Sequence, residues 1–140
     1  SEVYDQSYFE RVGLRYVDAI KRSELELEGV DWKELIKPHL LGCLSFSQEE
    51  VEKVNLSTLR AEIVMDGTSV RVSSGLGIIN TDNKEPDNAF ILDCDYYQVG
   101  KVDMDKIGEV AGCLHQKSTE FFRKSITLKL HEAMDPQELK

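Results

Sequence analysis

Arg11 and Arg15 stand on either side of Gly13 in the stretch Arg11-Val12-Gly13-Leu14-Arg15-Tyr16-Val17. Side chains alternate across an extended strand, so both guanidinium groups share one face with a gap between them, while Val12, Leu14 and Tyr16 take the other. Guanidinium groups grip carboxylates and phosphates through paired N–H donors, which is chemistry suited to holding an anion or a partner's acidic side chains. Asp93 and Asp95, two residues apart around Cys94, also point the same way if they lie on a strand. Such a pair suits a hard cation or paired acid–base work. No third ligand at a recognisable spacing accompanies it, so neither a metal site nor a cofactor is expected, and pairing with arginine is the stronger reading. Arg60, Glu62 and Arg71 fall on the same expected sheet face. The candidate binding set is therefore Arg11, Arg15, Arg60, Arg71, Asp93 and Asp95, facing a protein partner or a small anionic ligand. A ladder of cross-strand ion pairs facing water is the competing, purely structural use.

The other reactive side chains form no pattern. His39 and Cys43 are four apart, but Pro38 and Gly42 disrupt the helix that would align them, and two ligands are too few for a metal. Cys113 and His115 are two apart on an expected helix and so do not face each other. Gly75-Leu76-Gly77 sits inside an expected strand and opens no helix, unlike a nucleotide-binding loop. The chain has no Gly-x-Ser-x-Gly, no phosphate loop with lysine and no His-Glu-x-x-His.

Composition narrows the classes further. With 26 acidic and 17 basic residues the net charge is −9, which argues against a broad nucleic-acid footprint. Three widely spaced cysteines suggest no disulfide framework, and a reduced, cytoplasmic setting is expected. No apolar run approaches a membrane span and no signal-peptide pattern opens the chain, so no membrane association is expected.

The elements that would carry these side chains follow from periodicity. Residues from Tyr8 to about Ile20 alternate as a strand. Asp31 and Glu34 have capping-box spacing and predict a short helix ended by Pro38. Ser47 and Glu50 repeat the box, with Phe46 and Val51 as a hydrophobic staple, and predict a helical turn over 48–53. From Leu56 to Asn80 two strands flank the turn signal Asp66-Gly67, and Gly75 and Gly77 in the second mark a bulge or a close backbone approach. A loop is expected over 81–88 and a strand from Phe90 to Val99. Asp103 then caps a helix of about thirty residues, with one apolar stripe running to Asp135-Pro136. This order predicts an α+β fold, an antiparallel sheet of about four strands with a long C-terminal helix packed on one face. Residues 1–140 are expected to form a single domain.

Tyr8 to Val17, with its Arg-x-Gly-Leu-Arg-Tyr core, is similar to the signature strand of a sporadically distributed family of uncharacterised bacterial proteins. Leu35 to Leu41 resembles that family's short helical segment, Ile91 to Tyr97 its last strand and Leu114 to Met134 its terminal helix. Members are longer, so the resemblance implies that this chain is the C-terminal part of a longer protein, as does an opening Ser1 in place of methionine. It carries no activity to transfer.

Three kinds of function remain. The first is a non-enzymatic interaction or ligand-binding module, meeting a protein partner, its own upstream region or a second copy of itself. The second is an enzyme or effector domain, with an anion site on the charged face or its chemistry in an upstream half. The third is an acidic, antitoxin-like decoy for a basic protein, which would gather acidic residues on one exposed face.

Overall fold

The computed structural model describes residues 8–79 and 87–134. Strands β1 (Tyr8–Ile20), β2 (Thr58–Met65), β3 (Thr68–Ile79) and β4 (Asp87–Asp103) form one antiparallel sheet in the order β1-β4-β3-β2. A one-turn helix, α1 (Gln48–Val51), precedes β2, and α2 (Ile107–Ser125) and α3 (Leu128–Met134) follow β4. The α+β architecture expected from the sequence is present, with four antiparallel strands and a long helix against one face.

The last strand lies between the first and the third, so its inner residues Phe90, Leu92, Cys94 and Tyr96 are buried. Val70 and Val72 of β3 continue that layer, and Leu114 and Phe121 of α2 close over it. The hairpin turns at Asp66 (φ 46) and Gly67 (φ 81), the two left-handed positions that match the twist of the strands they join. Across the sheet β1 alternates strictly between exposed Arg11, Arg15 and Val17 and part-buried Val12, Leu14 and Tyr16.

The second half of the inner cover is irregular. Between β1 and α1 the chain runs through four 3-10 turns that bury Trp32, Leu35, Ile36, Leu40, Leu41 and Leu44. Their apolar spacing is helical, but Pro38 and the left-handed Gly42 break any longer helix. The helix expected from Asp31 is thus replaced by a 3-10 turn at Trp32–Glu34, and the Asp31 side chain makes no capping bond. Ser47 and Glu50 do form a capping box, on an α-helix of one turn.

The thirty-residue helix is also corrected. After a 3-10 turn at Met104–Lys106, α2 stops at Ser125, and Ile126 adopts an extended conformation and bridges Ile36. Ser125 hydrogen-bonds back to the Phe121 carbonyl, and Thr127 donates its hydroxyl to the Glu34 carbonyl while accepting the amide of Leu130. Ser, Ile and Thr in a row thus offer the backbone an alternative to helix, and Thr127 starts α3 afresh. Asp103 ends β4 and its side chain caps nothing. Most of the loop expected over 81–88 lies outside the described residues, while Asp87 and Asn88 already belong to β4, which extends to Asp103 rather than ending at Val99.

Candidate functional site

The outer sheet face gathers the charged residues singled out above. Gly13 lies opposite Tyr97, Arg15 opposite Asp95, and Asp95 in turn opposite Arg71, which faces Glu62. Arg11 folds back along its own strand through the space at Gly13, where a Cβ would stand 2.8 Å from Arg11 Nη1. Its guanidinium then lies 4.5 Å from the centre of the Tyr97 ring and donates to Asp95 at 3.0 Å. Arg15 grips Asp93 with two bonds, Nε at 2.9 Å and Nη2 at 2.6 Å. Arg71 stands 5.1 Å from the Tyr97 ring and donates to Glu62 at 3.1 Å, and Glu62 also accepts the Tyr97 hydroxyl at 2.5 Å.

Two of these carboxylates, Asp93 and Glu62, are held in their charged form. The paired bonds from Arg15 keep Asp93 below the usual aspartate range, and the Tyr97 hydroxyl, then Arg71, lower Glu62. Arg60, opposite Ser73, has no ion pair among the described residues. It lines an open depression of about 600 Å³ with Arg15, Arg71, Asp93 and Asp95. Five of the six candidates are therefore brought together, Arg11 lies to one side over Tyr97, and the cross-strand ladder accounts for all of them except Arg60. Gly75 resolves the choice between bulge and close approach in favour of the latter, since β3 keeps an unshifted register with β2 and β4 there. The sheet's irregularity falls between Phe9 and Arg11 in β1.

The inner face holds a second site, which the reading of charge patterns missed. Where α2 gives way to α3, the helices leave a cavity of about 350 Å³ over β1 and β4. Leu92, Phe121, Phe122, Ile126 and Met134 supply apolar walls. Polar groups converge between them: the Tyr16 hydroxyl shares a 2.8 Å hydrogen bond with His115 Nδ1, and Asp18, Cys94 and Tyr96 line the sheet side. Burial pushes the Cys94 thiol up to about 11 and raises the Tyr96 phenol, so both are protonated at neutral pH. Burial also raises the Asp18 carboxyl, which has no hydrogen bond or ion pair among the described residues. A signal for this site was present in the sequence. Asp18 falls in phase with Val12, Leu14, Tyr16 and Ile20, a charged residue on a face otherwise built for the core.

Among the described residues no three His, Cys, Asp or Glu side chains cluster as a metal would require, and no described helix is long and apolar enough to cross a membrane. Comparisons with protein-family models, with curated proteins and with solved structures return no match.

Proposed function

We propose that this domain is a non-enzymatic binding module that holds a small ligand between its sheet and its C-terminal helices. The observation that carries this reading is the inner cavity itself. Its volume of about 350 Å³ falls in the range of small-molecule sites, roughly 300–1,000 Å³, and its mixture of apolar walls with a few converging polar groups is the usual make-up of such sites. The protonated state of Cys94 favours binding over covalent chemistry, because the thiolate is the nucleophilic form. Kinship with the sporadically distributed bacterial family is proposed on the β1 signature, and a cytoplasmic setting on the unpaired cysteines.

The test is an NMR titration of isotope-labelled protein with phenethyl alcohol, a neutral aromatic probe. Expected perturbations fall on Leu92, Ser118, Phe121 and Ile126. Ser118→Leu, which extends a buried side chain into the cavity, should weaken binding about tenfold. Perturbations confined to Arg15, Arg60 and Asp93 would overturn the reading.

A second reading keeps the outer face as a protein-docking surface. It is favoured by Val17, Val64 and Val99, which are 57%, 75% and 69% exposed. All three belong to the outer rows of the sheet around Arg11, Arg15, Arg60, Arg71, Asp93 and Asp95, the mixture of apolar and charged groups common to interfaces. The interspersed signs on this face favour such a partner over an acidic decoy.

A further inference from the structure

We infer that the ligand of the inner cavity carries a protonated amine on an apolar body, with Asp18 as its counter-ion; this rests on the reading of the cavity as a binding site. Asp18 lies on the inner face of β1 opposite Leu92, the one charged side chain among the inner residues from Val12 to Ile20 of β1 and Phe90 to Tyr96 of β4. It lines the cavity wall and is half-buried. A carboxylate withdrawn from water costs free energy unless a cation or hydrogen-bond donors replace the water it loses. On the outer face Asp93 and Asp95 receive that compensation from Arg15 and Arg11. Asp18 has no hydrogen bond or ion pair among the described residues, and burial raises its proton affinity.

The other groups around the cavity fit the same occupant. Cys94 and Tyr96, which feel the Asp18 charge, are neutral. His115 is engaged with Tyr16, and Arg123 is exposed on the helix side of the opening with His131. An ammonium group brings three N–H donors and the missing positive charge to Asp18, while an aromatic or aliphatic body fills the space among Leu92, Phe121 and Ile126. A carboxylate ligand would have to meet Asp18 as a like charge, and only Arg123 at the opening would favour it.

Three probes with one body separate these possibilities: phenethylamine, phenethyl alcohol and phenylacetate, titrated into the full chain by NMR. The amine should bind at least about tenfold more tightly than the alcohol, with phenylacetate weakest. Asp18→Asn, checked for folding by circular dichroism, should remove the amine's advantage and bring it to the level of the alcohol. If amine and alcohol bind alike in the wild-type chain, or phenylacetate binds tightest, while cavity resonances still move, the amine inference falls and the cavity remains a site. If none of the three moves those resonances, both fall.

Discussion

Gly75→Ala should be the most damaging single-methyl change in the sheet. Gly75 lies opposite Thr58, where the chain enters β2. A Cβ at Gly75 would stand 2.1 Å from the Ser57 carbonyl oxygen, 3.1 Å from its carbon and 3.3 Å from Thr58 Cα. All three are backbone atoms, so no rotamer change relieves the clash, and the two strands must part by more than about 1 Å at a point where they are hydrogen-bonded. Overpacking of this kind costs typically 1–3 kcal/mol, and here it sits at the upper end; alanine's advantage over glycine in the unfolded chain returns about 0.5–1 kcal/mol. The net loss is about 2 kcal/mol, or roughly 7 °C in Tm for a chain of this length. Urea unfolding followed by the fluorescence of buried Trp32 measures it. Gly77→Ala is the control, because its Cβ would meet only the Ile91 side chain, at 3.1 and 3.7 Å. That side chain can turn aside, and the loss should stay below about 1 kcal/mol. Gly108→Ala and Gly112→Ala, with nothing near their Cβ positions, should stabilise α2 by roughly 0.5–1 kcal/mol each. Equal midpoints for Gly75→Ala and Gly77→Ala would refute the reasoning that backbone, rather than side chain, limits the site.

Asp18→Asn should raise Tm at neutral pH, with the gain shrinking as pH falls through the raised folded value and gone below the ordinary value of about 3.8. The folded carboxyl binds its proton more tightly than the unfolded one, so ionisation penalises the fold as pH rises through the raised value. Asp93→Asn has the opposite sign. Arg15 lowers the folded carboxyl, so its contribution is present at neutral pH and lost as pH falls through that lowered value; a melt series against pH reads both. A disulfide reagent should titrate Cys43 and Cys113 in the native chain and reach Cys94 only on unfolding, since Cys94 is buried and its thiol is pushed up to about 11. Fast reaction of a third thiol would contradict its place under α2.

Period-two alternation made β1, the β2–β3 hairpin and the core of β4 legible in the sequence, because each strand has one face in water and the other under cover. The partners Arg15–Asp93 and Arg11–Asp95 were foreseeable in kind, though register decided which aspartate each arginine reached. Two features were not legible from pattern alone. The break at Ser125 arises because Ile126 has a bridge partner in Ile36, ninety residues away in sequence, and local periodicity carries no information about that pairing. The helical spacing from Trp32 to Leu44 likewise describes what is buried, while Pro38 and Gly42 dictate how the backbone gets there. Asp18 is inconspicuous in the sequence for a different reason. A search for charges that cluster finds Asp93 and Asp95, whereas Asp18 is informative because it stands alone among apolar neighbours.

The two faces of the sheet thus handle charge in opposite ways, and the difference bears on which of them binds. On the outer face each carboxylate of the ladder already has a guanidinium or a phenol, and Arg71 and Arg11 flank the same tyrosine ring. An incoming anion there must compete with an intramolecular partner held at no cost in translational freedom, and only Arg60 is without such a partner among the described residues. On the inner face the balance is reversed. Asp18 is half-buried and has no protein donor among the described residues, so a ligand that supplies one replaces lost water without displacing an existing protein bond. Stability alone would replace Asp18 with an apolar residue or the isosteric amide. Its presence at a core-facing position is the pattern expected of a site where stability has been yielded to binding.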